Sequence, residues 1–327
     1  MMPKLEYMGR IYCAVGARGF YGEGYPFHRW WKYLGMDWEG MVLAAKTGTM
    51  SRVVGNMPLG KDGITPLELE PACIFVEPIT GHMLNAVGLS NPGYPFLLEK
   101  GIWQTLPNPF CLSFMAMSET KEERLEETRE FVALLSSHLP FRSAIALQFN
   151  CGCPNAGHDL SKLIDELGET FELAADLRQR YGISLIANFS VAASPEAMIE
   201  TALLPLCDGL WIANTVRFGH PAIDCRGIFG TDTSPMILRG FDKEGGISGP
   251  ACLPLAIDRV MAVRAELDIP IIAGNGIQRP QDVVRMFAAG ADAVAVGCVA
   301  IVRPWRMRAI TRAACSAQTW RENHGRR

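Results

Sequence analysis

The sequence predicts a (β/α)₈ barrel, in which parallel strands alternate with helices around a closed sheet. Short apolar runs bounded by turn residues recur eight times. Most are continuously apolar, as expected for strands covered on both faces. Several of the gaps between them have helical periodicity. The runs cover residues 11–15, 41–45, 110–115, 143–149, 183–189, 209–213, 270–273 and 293–296.

Helix-start signals support the alternation. Thr120 and Glu123 form the signature of a capping box, in front of a segment whose apolar residues share one face. Ser194 followed by Pro195 is a cap with proline at the first helical position. The predicted helical segments are 120–139, 195–204, 250–267 and 280–289.

Two stretches are longer than the bare repeat requires. Residues 47–108, rich in glycine and proline, follow the second strand, and 216–249 follow the sixth. Long insertions in a barrel usually form the wall or lid of the active site. Because such barrels routinely exceed 250 residues, we predict a single domain over 1–327.

Composition excludes several classes of protein. With 49% apolar residues the chain can bury a sizeable core, and a formal charge of −3 argues against a nucleic-acid partner. The ten cysteines are scattered, which favours reduced thiols in a cytosol. No window approaches the roughly 18 apolar residues of a membrane span, so we expect a soluble, cytoplasmic protein without a membrane partner.

The fourth strand predicts the chemistry. It ends in Asn150, and Pro154 prevents further pairing, so Asn150, Cys153 and Asn155 are expected together at one strand end. Two carboxamides can hydrogen-bond an amide or imide, and a thiol can move a proton beside them. Cys151, Cys153 and His158 form an alternative metal set, but no fourth ligand is evident, so we predict no metal.

Most other predicted strands also end in polar residues or glycine, where barrels hold their reactive groups. The glycines after strands seven and eight are suited to binding a phosphate through backbone N–H groups, although glycines there are also ordinary turns. These residues are Ala14 and Gly16; Lys46 and Thr47; Asn188; Asn214 and Thr215; Gly274, Asn275 and Gly276; Gly297 and Cys298; and, in the second insertion, Gly245 and Gly246.

Residues 150–155 resemble the Asn-x-Ser-Cys-Pro-Asn motif of dihydroorotate dehydrogenases, with Gly152 in place of serine. The resemblance continues along nearly the whole chain in the same order. The further matching segments are 44–49, 83–93, 214–215, 245–250, 270–277, 290–291 and Gly297.

The resemblance implies an FMN-dependent oxidoreductase of pyrimidine biosynthesis, which oxidises dihydroorotate or a closely similar dihydropyrimidine to orotate. Cys153 would be the base, and Lys46 would reach both flavin and substrate. The implied substrate contacts are Asn85, Gly88, Leu89, Asn150, Asn155, Asn214 and Thr215. The implied FMN contacts are Ala14, Gly16, Lys46, Thr47, Asn150, Asn188, Gly245, Gly246, Gly274, Asn275, Gly276, Gly297 and Cys298.

Two departures leave the substrate open. Asn188 stands where the family has a lysine beside the flavin, and we expect its amide to donate a hydrogen bond there without a charge. Gly55-Asn56 is not followed by the family's Pro-Arg. The alternatives are a related flavoenzyme acting on another cyclic amide or enone, a non-redox lyase that forms a Schiff base at Lys46, and an inactive scaffold.

The expected partners are a small-molecule substrate and a second copy of the chain. An electron-transfer subunit is a further expectation, because the cysteines lack the Cys-x₄-Cys-x₂-Cys spacing of an iron–sulfur centre. The chain also resembles the soluble, cysteine-base members of the family rather than those that use a membrane quinone. Fumarate is the alternative electron acceptor.

Overall fold

The structure is a computed structural model that describes residues 8–151 and 164–324. Within these residues twelve strands form, numbered here along the chain. They are β1 (Ile11–Cys13), β2 (Leu43–Ala44), β3 (Ile74–Glu77), β4 (His82–Asn85), β5 (Phe110–Phe114), β6 (Ile145–Asn150), β7 (Ser184–Ser190), β8 (Gly209–Asn214), β9 (Val216–Arg217), β10 (Gly246–Ser248), β11 (Ile271–Gly274) and β12 (Ala293–Val296).

Eight of these strands build the predicted barrel. They pair in the order β1-β12-β11-β8-β7-β6-β5-β2, and every pair is parallel. The sheet closes between β1 and Val42, the residue before β2. Val42 forms a parallel bridge with Tyr12, and its carbonyl accepts a hydrogen bond from Cys13 N at 2.9 Å. The (β/α)₈ prediction is confirmed, and each of the eight apolar runs overlaps one of these strands.

Helices fill the intervals between the barrel strands. The capping box is confirmed, since Glu123 N donates to Thr120 Oγ1 at 3.3 Å and Thr120 N donates to the Glu123 carboxylate at 3.2 Å. The segment 250–267 is a 3₁₀ turn, Pro250–Cys252, followed by an α-helix. The α-helices are His28–Trp31, Tyr94–Glu99, Ile102–Thr105, Lys121–Ser137, Leu167–Leu173, Ala175–Tyr181, Pro195–Ala202, Cys225–Phe229, Pro235–Leu238, Leu253–Glu266, Pro280–Ala288, Cys298–Val302 and Met307–His324.

The two insertions pair with each other. β3 and β4 come from the first insertion and β9 and β10 from the second, and they form an antiparallel sheet in the order β3-β4-β10-β9. The joining pair is β4 with β10, where Gly246 lies opposite Asn85 and Ser248 opposite Met83. The insertions therefore build one wall together.

Two apolar layers hold the barrel. One lies between the strands and the helices, and the other fills the inside of the barrel, where Tyr12 and Trp211 meet edge to face with centroids 5.3 Å apart. Strand residues alternate between the layers. Ala146 belongs to the inner layer, so Gln148 and Asn150 follow it on the same face of β6.

A buried ion pair holds the helix Lys121–Ser137 next to the barrel rim. The Arg124 guanidinium donates to both carboxylate oxygens of Glu166, at 2.9 and 2.5 Å, and the two side chains are 7% and 9% exposed. Arg124 also donates to the backbone carbonyls of Ser118 and Glu119. The pair lines a small cavity behind Asn150.

Candidate active site at the barrel rim

A large cavity opens at the carboxyl ends of the barrel strands, where barrel enzymes place their active sites. Its empty volume is about 1170 Å³, solvent at the mouth included. Strand ends form its floor, and the small sheet contributes Ile74, Met83, Asn85 and Ser248 to its wall.

Most of the residues singled out from the sequence lie around this cavity. Their contacts with ligands stay predictions. Those on the cavity surface are Ala14, Gly16, Lys46, Thr47, Asn85, Gly88, Leu89, Asn150, Asn188, Asn214, Thr215, Asn275, Gly276, Gly297 and Cys298.

Three predicted FMN contacts, Gly245, Gly246 and Gly274, are not on the cavity surface. Backbone packing gives Gly245 and Gly274 a reason to be glycine. A Cβ on Gly274 would collide with the Ala295 carbonyl oxygen, and Gly245 has φ +82° with the Asn85 backbone close by. Gly246 pairs with Asn85 between β10 and β4. Close backbone packing accounts for Gly245 and Gly274, and the contacts of all three glycines with FMN stay predictions.

The predicted base Cys153 and the predicted contact Asn155 lie outside the described residues, as does His158. Cys151 is described and buried, and its Sγ donates to the Asn188 carbonyl at 3.1 Å. Burial raises the pKa of the Cys151 thiol to about 12. This cysteine is therefore a packed thiol at physiological pH.

A network of amides forms the polar part of the cavity floor. Asn150 is its centre: its Oδ1 accepts from Asn188 Nδ2 at 3.2 Å and from Asn214 Nδ2 at 3.1 Å. Asn150 Nδ2 donates to Thr47 Oγ1 at 3.0 Å, and Asn214 Oδ1 accepts from Thr215 N at 2.8 Å. Side chains from β6, β7, β8 and the loop after β2 thus meet at one place.

Lys46 is the cation of the site. It is buried, its Nζ donates to the Ser90 carbonyl, and the ammonium lies 5.2 Å from the centroid of the Phe20 ring. Burial lowers the pKa of Lys46 to about 8, while the nearby Cys73 and Glu23 act in the opposite direction. Lys46 therefore remains mostly protonated at pH 7 and can attract an anionic group.

Asn275 and Cys298 are engaged by the protein itself. Asn275 has φ +67°, its Oδ1 accepts from Gly249 N and its Nδ2 donates to the Asn214 carbonyl, both at 3.2 Å. Cys298 Sγ lies 3.6 Å from the carbonyls of Gly81 and Ser248. These side chains join the turn after β11 and the helix after β12 to the small sheet.

Several apolar residues of the cavity were missed by the sequence analysis. Tyr25 comes from the loop after β1, and Trp211 lies inside an apolar strand, where nothing local separates it from core residues. The alternation of β8 indicates only that Trp211 points into the barrel. The missed cavity residues are Val15, Ala17, Tyr25, Ile74, Met83, Val87, Trp211, Ala213, Ser248, Ile277, Ala295, Val296 and Ile301.

The cavity fits a flavin nucleotide in three respects. Its floor combines apolar surface from Trp211 with the amide network. The Asn188 Oδ1 atom is buried and accepts no hydrogen bond from the described residues. Gly276 has φ +96°, and a Cβ on Gly297 would lie 3.0 Å from Ala14 Cβ, so both turns bring bare backbone to the cavity.

Fold and cavity define a (β/α)₈ barrel with a cavity at the carboxyl ends of its strands, where barrel enzymes place their active sites. A family model described as dihydroorotate dehydrogenase matches residues 68–313. The match spans well over half of the chain, so the chain belongs to the dihydroorotate dehydrogenase family. This confirms the resemblance found in the motifs.

The relatives agree. The catalytic subunit of dihydroorotate dehydrogenase B (NAD(+)) of Bacillus cytotoxicus is 33% identical over 232 residues, which are 68% of this chain and 67% of that protein. The protein of the same name from Anoxybacillus flavithermus is 31% identical over 310 residues, 93% of this chain and 85% of that one. Crystalline DHODH from Eimeria tenella in complex with ferulenol superposes with a TM-score of 0.65 at 17% identity, covering 95% of this chain and 82% of that chain, and supports the fold.

Two properties of the described residues complete the comparison. None of their helices is both long enough and apolar enough to cross a membrane. Within 8–151 and 164–324, no three His, Cys, Asp or Glu side chains are grouped so that they could hold a metal ion.

Proposed function

We propose that this protein is an FMN-dependent dihydroorotate dehydrogenase that oxidises dihydroorotate, or a closely similar dihydropyrimidine, to orotate. The observation that carries the proposal is the amide network of Asn150, Asn188 and Asn214 on the cavity floor, next to the buried ammonium of Lys46. Membership of the family supports the same reaction.

The amides account for the choice of substrate. A dihydropyrimidine ring carries two amide-type N–H groups and two carbonyls, which match a wall of carboxamides. Asn85, Asn150, Asn214 and the hydroxyl of Thr215 can bind this ring, with the backbone of Gly88 and Leu89 beside it. A ligand without these groups would leave buried donors and acceptors unpaired, which binding sites reject strongly. Lys46 can attract the carboxylate of the substrate.

The turns of Gly16, Gly276 and Gly297, together with Lys46 and Asn188, would hold FMN. Bound FMN supplies the acceptor for the hydride that leaves the substrate. The backbone N–H groups of the glycine turns can bind its phosphate without a side chain in the way.

Cys153 is the proposed base, and this role rests on its place in the motif. As a thiolate it takes the proton from the ring carbon next to a ring carbonyl, while the hydride leaves from the adjacent ring carbon. An ordinary thiol has a pKa near 8.5, so a modest downward shift makes it effective near neutral pH. Cys151 cannot replace it, since its thiol is buried and bonded to the Asn188 carbonyl.

Electrons must then leave the protein. The relatives are catalytic subunits of a B-type, NAD(+)-using enzyme, and we propose an electron-transfer subunit as the partner of a cytoplasmic dimer. Stopped-flow re-oxidation of the reduced, isolated protein with fumarate, NAD⁺ and a short-chain quinone tests this. Slow turnover with all three supports a separate subunit, and rapid turnover with fumarate or quinone alone contradicts it.

Asn188 favours a second candidate, a flavoenzyme of the same kind that acts on another cyclic amide. One experiment addresses both. Purified protein is reconstituted with FMN, and bleaching of the flavin is followed without air against dihydroorotate, dihydrouracil and other cyclic amides. Bleaching by dihydroorotate supports the first proposal, bleaching by another compound alone supports the second, and protein that cannot bind FMN contradicts both.

A further inference from the structure

Asn188 has a buried side-chain oxygen that no described residue uses, in addition to the amide N–H groups considered from the sequence. It lies near the carboxyl end of β7, it is 1% exposed, and it contributes to the cavity surface. The expectation was an amide that donates towards the flavin. In the structure Asn150 Oδ1 accepts one N–H of Asn188, at 3.2 Å, and the side-chain oxygen of Asn188 has no described donor.

The orientation of this amide follows from the backbone. A carboxamide can be turned over so that its oxygen and nitrogen exchange places, and only its hydrogen-bond partners decide between the two. The backbone N–H of Thr215 can only donate a hydrogen bond. It lies 2.8 Å from a side-chain atom of Asn214, so that atom must be the acceptor oxygen Oδ1. Asn214 therefore presents its nitrogen to Asn150.

The same logic passes through Asn150 to Asn188. Because Asn150 receives an N–H from Asn214 at 3.1 Å, the receiving atom is its oxygen, and its nitrogen donates to Thr47. Asn188 contacts that same oxygen, so the atom it uses is its nitrogen. The Oδ1 of Asn188 is consequently the atom left over, and no described residue donates to it.

We propose that Asn188 Oδ1 accepts a hydrogen bond from a ring N–H of a ligand bound in the cavity. The inference rests on the proposed function and makes Asn188 a residue that determines specificity. Both the flavin and the dihydropyrimidine carry an amide-type N–H, so they share the chemistry that an acceptor recognises. A lysine at this place would have selected for acceptors and anions instead.

Burial supports a ligand as the partner. A carbonyl oxygen removed from water without a donor is unfavourable, and such atoms normally find one. Gln148 provides the comparison within the same barrel, because its side-chain oxygen and nitrogen are also without a partner among the described residues. Unlike Asn188, Gln148 is not on the cavity surface, so a cavity ligand cannot serve it.

The experiment compares ligands with and without the N–H group. Flavin-free protein is titrated with FMN and with its 3-methyl analogue by fluorescence. The reconstituted protein is titrated with orotate, 1-methylorotate and 3-methylorotate by flavin absorbance. Each titration is repeated with Asn188→Leu, which removes the acceptor, and with Gln148→Leu, the matched loss of a buried amide away from the cavity.

We expect wild type to bind one methylated ligand on the order of 10–100-fold more weakly than its parent, the usual span for leaving a buried acceptor unpaired. In Asn188→Leu that preference should fall by about tenfold, while Gln148→Leu keeps it. The steric cost of the methyl group is present in all three proteins, so it cancels in this comparison. The methylated ligand that shows the effect identifies the source of the N–H.

Equal preferences in wild type and Asn188→Leu, for the flavin and for both orotates, would overturn the inference and leave water as the partner of Oδ1. If Asn188→Leu does not fold, the wild-type titrations still test the inference. Equal affinity of wild type for each methylated ligand and its parent would overturn it. Wild type that binds no FMN counts against the proposed function. The orotate series is then titrated by calorimetry against flavin-free protein, where equal affinities overturn the inference.

Discussion

The buried charge of Lys46 is expected to lower the free energy of unfolding, by an amount that depends on pH. We consider Lys46→Met, which keeps an unbranched side chain and removes the charge. In the folded protein burial lowers the pKa of Lys46 from 10.5 to about 8. A difference of this size corresponds to roughly 3 kcal/mol of unfolding free energy.

The direction follows from the protons bound in each state. Between about pH 8 and 10.5 the unfolded lysine holds a proton that the folded lysine has lost. Unfolding then takes up a proton, so raising the pH through this window favours the folded state. The penalty of Lys46 is complete below about pH 8 and disappears near pH 10.5.

The assay is urea unfolding of wild type and Lys46→Met at pH 7 and at pH 10. Methionine also leaves the Ser90 carbonyl without its donor, which shifts the stability of the variant equally at both pH values. We therefore expect the stability of the variant relative to wild type to be about 2–3 kcal/mol more favourable at pH 7 than at pH 10. Lys61→Met, at an exposed position, is the matched control.

A relative stability of Lys46→Met that is the same at both pH values would refute the reasoning, because it would show that Lys46 is not desolvated in the folded protein. Binding of FMN and orotate should weaken in the variant in either case, since the site loses its cation. The two readouts separate the electrostatic cost from the function.

Three further predictions concern other parts of the site. Cys153→Ala should slow anaerobic flavin reduction by roughly 10²–10⁴-fold, with FMN content unchanged, whereas Cys151→Ala should be mild; equal losses at both would argue against a base. Glu166→Gln leaves a buried guanidinium without its counter-charge and should lower the unfolding free energy by about 3–5 kcal/mol in urea titrations. Glu126→Gln, in an exposed pair, should cost under about 1 kcal/mol, and similar losses would contradict this account. Asn188→Lys should raise the FMN reduction potential through an added positive charge, and an unchanged or lower potential would place residue 188 away from the flavin.

Local sequence patterns were sufficient to predict the barrel strands and the start of a helix. Continuous apolar runs predicted the eight barrel strands, because a strand covered on both faces has no polar positions to alternate with. The capping box at Thr120 was equally readable, since both of its hydrogen bonds lie within four residues. The strand-end motif also located Lys46, Asn150 and Asn214 at one rim, because parallel strands all end on the same side.

Contacts between distant segments could not be predicted from local sequence patterns. Gly246 and Asn85 are 161 residues apart and lie in different insertions, and nothing in either insertion specifies their pairing. Trp211 is one apolar residue among many in its strand, and only closure of the barrel places it under the cavity. Gly274 was predicted to contact FMN, and only the folded structure shows that a Cβ at this position would collide with the Ala295 carbonyl oxygen of the neighbouring strand.

The amide of Asn188 shows most clearly which properties the sequence determines and which only the tertiary structure decides. By itself the sequence determined that a carboxamide stands at the end of β7, within a barrel whose strand ends form the site. Whether that amide offers its nitrogen or its oxygen depends on Asn150, Asn214 and the backbone of Thr215, which reach it from two other strands. Hydrogen-bond direction is set by partners that only folding brings together, so only the tertiary structure could decide it.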